Sequence, residues 1–179
     1  LTKADDIRDF EIDGLSIGVS LLDFFNESEI KDNIHDHYKD DKYKLTEFYK
    51  HKNFNLYDSL KFHYNSKDQN YKIISISGIN FYKKNITSCH NDMKKIDKEV
   101  SSLFKELERN SEDQIHPYDK SGKSTTKAIR YWFADKSLIS IVCYDWSEKL
   151  SKENEWTDNL QLEISLNEFN NWLRHKAYK

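Results

Sequence analysis

Glycine and proline are almost missing: four and one, respectively, in 179 residues. That scarcity argues against collagen-like, loop-dominated and glycine-rich dinucleotide-binding architectures. No run of eighteen apolar residues occurs, so nothing reads as a membrane-spanning helix. Strong charge of one sign is missing too. The formal net charge is −3, from 28 basic and 31 acidic residues, and the pI is near 6.2. A chain so balanced carries no electrostatic footprint for nucleic acid. Alanine is also rare, with four copies, while Lys outnumbers Arg 24 to 4 and there are 16 Ile and 15 Asn. These are the preferences of AT-rich codons. The lysine excess therefore reads first as codon bias and as a mixed, solvated surface.

Rings compensate for a modest apolar content of 37%. Aromatics reach 14%, as 11 Tyr, 10 Phe and 4 Trp. That supply is enough for a core, so whole-chain disorder is not expected.

The chain starts Leu1-Thr2-Lys3-Ala4-Asp5-Asp6. A small residue before an acidic pair resembles the start of a mature chain after cleavage of an export signal, and equally an ordinary processed domain start. Export would make Cys89 and Cys143 a candidate disulfide. The other reading is two buried thiols. Neither cysteine has CxxC spacing, so redox catalysis and a zinc knuckle are not indicated.

The pattern along the chain predicts an α+β fold. Residues 10–18 alternate and turn at Gly14 and Gly18. Ser20 and Asn26 or Ser28 are N-cap candidates for one or two short helices, with Leu21, Leu22, Phe24, Phe25 and Ile30 on a 3.6-residue period. Residues 35–52 read as a polar loop with a short strand at 43–49. Strands follow at 59–64 and 71–81, joined by the turn cluster 65–70. Residues 86–107 form the clearest helix, with Met93, Ile96, Val100, Leu103, Phe104 and Leu107 at spacings of three and four. Residues 110–126 read as a long polar loop. Strands at 129–133, 138–146 and 160–166 then precede a helix capped by Asn167, with Phe169, Trp172 and Leu173 inward. Residues 147–158 read as a polar connection. The expected architecture is one domain, 1–179. It has an antiparallel sheet of about five strands, helices on one face, and tandem helix-strand-strand halves at about 10–84 and 85–179.

The 129–146 hairpin has two registers. A two-residue loop at Asp135-Lys136 puts Tyr131 with Ser140, and Cys143 with Arg130 and Trp132. A three-residue loop puts Tyr131 with Ile141 and Ile129 with Cys143. It gathers Arg130, Trp132, Val142, Tyr144 and Trp146 on the other face. One slip exchanges the whole face. A bridge to Cys89 needs Cys143 on the helix-covered side and so favours the second register. Arg130, Trp132, Tyr144 and Trp146 are then the candidate binding residues on an open aromatic face, unless another layer covers them.

Catalytic signals are weak. Ser121-Gly122-Lys123-Ser124-Thr125 looks like the end of a phosphate-binding loop, but Pro117 stands where its first glycine belongs. It reads as a Gly/Ser loop. His35, His37, Asp40 and Asp41 lack a third ligand at defining spacing, so no metal is expected. His116, Asp119 and Ser121 supply the ingredients of nucleophilic hydrolysis without GxSxG. A small hydrolase using the 116–124 loop is the alternative function, and no catalytic residue is assigned. Asn26-Glu27-Ser28 and Asn85-Ile86-Thr87 match glycosylation acceptors by chance.

The stretch Asp9-Phe10-Glu11-Ile12-Asp13-Gly14-Leu15-Ser16-Ile17-Gly18-Val19-Ser20-Leu21-Leu22-Asp23-Phe24-Phe25 resembles the mature N-terminus of small exported proteins from AT-rich marine bacteria. The Tyr144-Asp145-Trp146 block and the 120–124 loop are similar to the same family. The resemblance implies export and nothing about catalysis. Gly14-Leu15-Ser16-Ile17-Gly18 followed by a helix is also similar to repeats of outer-membrane assembly lipoproteins and beta-lactamase-inhibitor-like proteins. Those are binding or scaffold proteins with two helices against an antiparallel sheet, although this chain starts without a lipidation cysteine. Together these readings predict a periplasmic or secreted bacterial protein without a cofactor. Its partner is expected to be a protein of the envelope, with no nucleic acid and no membrane span.

Overall fold

The computed structural model describes residues 6–179, so the N-terminal export reading at residues 1–5 lies outside it. Eight strands form one antiparallel sheet: β1 (Ile34–His35), β2 (Tyr43–Tyr49), β3 (Ser59–Asn65), β4 (Ser75–Phe81), β5 (Glu108–Ile115), β6 (Thr125–Trp132), β7 (Leu138–Asp145) and β8 (Asn159–Ser165). Their spatial order is β1-β2-β3-β4-β8-β7-β6-β5. Residues 34–81 thus build one half of the sheet and residues 108–165 the other, and they meet where β4 pairs with β8. The expectation of about five strands and of helix-strand-strand halves is corrected. Each half supplies a helix followed by four strands, α1 (Glu27–Asp32) before β1 and α2 (Ile86–Leu103) before β5.

The additional strands come from segments without a clean apolar rhythm. β5, at the sheet edge, is largely exposed along its whole length. Its Glu108, Arg109, Glu112 and Asp113 meet water, and a charged edge resists pairing with other chains. β1 has two residues and needs only the β2 ladder.

One face of the sheet is sealed. Phe62, Ile76, Ile129, Tyr131, Ile139, Ile141, Leu160, Leu162 and Ile164 point into the main core there. They meet Met93 and Val100 of α2, Ile30 of α1, and Ile12, Leu15, Ile17 and Leu21 of the N-terminal segment. That segment turns at Gly14 and Gly18, at φ of +80° and +89°. A short 3₁₀ turn, Leu21–Asp23, is capped by Ser20, and Asn26 caps α1 through Glu29 N. Asn85 caps α2 through Ser88 N. The two Asn-x-Ser/Thr sequences are therefore helix starts, where a short side-chain acceptor satisfies a free N–H.

The hairpin loop is Ala134-Asp135-Lys136, closed by a hydrogen bond from Phe133 N to Ser137 O. The directly opposed pairs are Tyr131 with Ile139 and Ile129 with Ile141. Each partner lies two residues nearer the turn than the sequence pattern predicts for a three-residue loop, so the division of faces is the one that loop dictates. Cys143 accordingly faces α2 and is bonded to Cys89.

The helices do not share a single face. α4 (Asn167–His175) lies on the opposite, open side, over one end of the sheet. There Phe169, Trp172 and Ala177 pack with Tyr43 and Ile74 in a second small core. Tyr43 and His63 belong to the open side of the pleat, because they stand one residue out of phase with Phe62 and Thr46. The helix buries Phe169 on the His63 ring at 4.3 Å, and Trp172 donates its indole N–H to Asp40. The short α3 (Glu148–Asn154), inside a segment expected to be only a connection, is capped by Ser147 and buries Leu150.

Candidate functional site

Beyond α4 the open side of the sheet is polar. Its pleat carries Glu47, Lys61, Ser77, Gln161, Glu163, Ser140 and Arg130. Ser59 donates to Glu47 at 2.6 Å, and Lys61 lies 3.8 Å from the same carboxylate. Glu163, at the centre, accepts from Ser75 at 3.1 Å. Burial pushes its carboxyl above the usual range, against the hydrogen bonds from Ser75, Ser165 and Gln161.

All four candidate residues stand on this face. Trp132 and Arg130 alternate with core-facing Tyr131 and Ile129 on β6. Tyr144 ends β7, and Trp146 follows it. The structure divides them between two places. From Leu138, opposite Trp132, to Trp146 is eight residues, roughly 26 Å of strand. Trp132 lies under the Arg174 guanidinium of α4, 5.7 Å from its ring. Arg130 is paired with Glu112 of β5, and burial lowers its pKa. Both are therefore occupied by neighbours within the fold, although Arg130 stands between the two places and interacts electrostatically with Tyr144.

Tyr144 and Trp146 belong to a larger ring cluster at the other end. Their rings stack at 5.6 Å and 11°. Trp156 lies 4.5 Å from Trp146, Tyr118 is 5.3 Å from Trp156, and the His116 imidazole is 4.6 Å from Trp146. Burial lowers the His116 pKa, and Asp119 opposes that shift. Sequence reasoning places none of Trp156, Tyr118 and His116 on the binding face. The surplus of rings in polar segments is the available signal, but loop rings carry no periodicity to place them.

Tyr144, Trp146 and Trp156 of this cluster form one wall of a trough with a volume of about 510 Å³, within the range of ligand sites. The trough crosses the sheet from Glu47 and Tyr49 on β2, past Lys61, Ile79 and Phe81, to Gln161, Asn159 and Tyr144. Tyr49 is 59% exposed and Phe81 37%. Its rim holds two strained segments. Lys83 and Lys84 have φ of +29° and +65°, and Glu155, the α3 C-cap beside Trp156, has +58°. A non-glycine residue there costs about 1–2 kcal/mol, and Asp13, Lys50, Tyr71 and Lys136 adopt positive φ elsewhere in the fold.

The 116–124 loop supports the cluster. Asp119 accepts from Ser121 and Ser124 through both their backbone N–H and hydroxyl groups, at 2.6–2.9 Å. Ser124 Oγ in turn accepts from Ser147 N, next to Trp146. The Ser124 and Ser121 hydrogen bonds hold the Asp119 carboxyl well below the usual carboxylate range. Asp119 thus stabilises a turn, with Gly122 at φ +72°, while His116 Nδ1 accepts from Tyr118 N at 3.3 Å. His116, Asp119 and Ser121 lie in one turn, but no hydrogen bond among them joins the imidazole to the hydroxyl. Among the described residues no group of three or more His, Cys, Asp or Glu could hold a metal. His37 packs on Tyr38 and Tyr178 instead. Comparison of the chain with protein families, with known proteins and with solved structures gives no match.

Proposed function

We propose that this is an exported, non-catalytic binding protein of the cell envelope, which recognises a partner or ligand through the aromatic end of its open sheet face. The observation that carries this reading is the contacting set of Tyr144, Trp146, Trp156 and Tyr118, left part-open beside a trough. The main core on the other face is complete without these rings. A cluster of large rings kept at a surface is costly unless something covers it in use. The Cys89–Cys143 bond is consistent with an oxidising compartment. No helix among the described residues is long and apolar enough to cross a membrane. The 116–124 loop supports recognition rather than hydrolysis, because its carboxylate and hydroxyls are spent on the turn that holds Trp146.

The test is a pull-down from envelope extract of the source bacterium, with wild-type protein against Trp156→Ala and Trp132→Ala. Capture that survives Trp132→Ala and is lost with Trp156→Ala fits the proposal. Capture indifferent to Trp156 contradicts it.

A further inference from the structure

We infer that the trough is a subsite for a neutral oligosaccharide, bound across the strands with sugar rings lying on Trp156 and Phe81. This rests on the binding function proposed for the same face and names its ligand class.

Shape comes first. The trough passes over β2, β3, β4, β8 and β7, five neighbouring strands, which spans about 19 Å. That length suits an extended oligomer better than a single small metabolite. It runs across the strands, over a sheet whose backbone N–H and C=O groups are already paired with each other. A peptide lying there gains no ladder hydrogen bonds and so loses the main source of strand-type affinity. What the floor offers is side chains alone.

Charge comes second. Glu47 and Glu155 balance Lys61 and Lys83 along the lining. Glu47 is 6% exposed and already holds the Ser59 hydroxyl and the Lys61 ammonium. An anionic or cationic ligand therefore finds no net counter-charge. The Gln161 and Asn159 amides give N–H groups to Ser77, Glu163 and Thr157, so what they turn to a ligand is their side-chain carbonyl oxygens, beside the Lys61 ammonium. A ligand with many hydroxyls, each both donor and acceptor, suits that mixture.

Ring geometry comes third. The Trp146 and Trp156 planes meet at 48°, so they form an angled wall and not one flat hydrophobic patch. A flat π-face favours the weakly positive C–H groups on the apolar side of a pyranose. Phe81 and Tyr49, both exposed, continue that surface along the trough.

The experiment titrates the full chain with cellohexaose, chitohexaose, maltohexaose and, as a charged control, an oligogalacturonate, following tryptophan fluorescence and calorimetry. The expected result is saturable binding of at least one neutral hexasaccharide and none of the oligogalacturonate. Trp156→Ala should weaken it at least about tenfold, as removal of a central anchor does. Gln161→Ala should weaken it less, and because this side chain also donates to Ser77 and Glu163, far-ultraviolet circular dichroism is recorded to show that the variant is folded. Absence of binding to every neutral oligomer, or binding that survives both substitutions, overturns the inference. If the oligosaccharides fail while envelope capture still depends on Trp156, only the ligand class is wrong. If both fail, the binding reading falls with it.

Discussion

At the scale of single residues, the packing makes sharp demands. Gly78 on β4 faces the sealed side, and a Cβ there would stand 2.7 Å from the Tyr57 ring. Gly78→Ala should therefore destabilise the protein by about 1–3 kcal/mol in urea unfolding, the usual cost of overpacking. The penalty should shrink in a Tyr57→Leu background, and a neutral Gly78→Ala would mean the ring lies elsewhere. Asp119 makes a second demand. Its four accepted hydrogen bonds reach Trp146 through Ser124 and Ser147. Asp119→Ala should change the near-ultraviolet circular dichroism of the tryptophans, whereas Asp113→Ala, on the exposed edge strand, should not. Of these residues the sequence made Tyr144 and Trp146 legible, because alternation placed them out of phase with Ile141 and Cys143. Trp156 was not legible. A ring in a polar connection has no neighbours at a fixed period, and only the folded chain brings it to Trp146.

At the scale of elements, α2 is fastened to the sheet twice. Cys89 and Cys143, 0% and 1% exposed, join it to β7 and close a separation of 54 residues. Cys89→Ser with Cys143→Ser should lower the unfolding free energy by about 4 kcal/mol, from loop entropy in the unfolded chain. Further along, Arg109 grips Asp97 of α2 with two bonds of 2.9 Å, and Tyr131 donates to the same carboxylate. The pattern of α2 was plain in the sequence because its apolar stripe runs over five turns. β5 and α3 were missed for the opposite reason: β5 buries neither face, and α3 buries one residue, Leu150. The amphipathic pattern of α4 was visible, but a helix stripe says that a face is buried and not on which side of a sheet. Its place has a consequence with pH. Under α4, His63 touches Phe169, and Tyr38 shares a 2.8 Å hydrogen bond with its Nε2. Burial, with Lys61 and His37 nearby, pushes its pKa down to about 3 from 6.5. The unfolded chain thus binds a proton below pH 6.5 that the folded chain refuses, so stability falls as pH drops from 6.5 towards 3. Glu163, whose pKa is raised, works in the opposite sense. His63→Gln should flatten the decline in a denaturation series between those pH values, and an unchanged slope would show that His63 is not its source.

At the scale of the whole molecule, the sheet has two different faces. One is closed by α1, α2 and the N-terminal segment. The other is capped by α4 at one end and left open at the aromatic end. The strand count could not be read from the sequence, because edge strands in water need no apolar rhythm. The split of the candidate residues could not be read either, since shared parity on a hairpin does not mean nearness along it. The central claim is that recognition belongs to the Trp146–Trp156 end and not to the Trp132 end. A photoreactive phenylalanine placed at position 156, and in a separate protein at position 132, tests this directly in cells or in envelope extract. The account predicts a discrete crosslinked product from position 156 and none from position 132. Crosslinking from 132 alone, or equally from both, would contradict it.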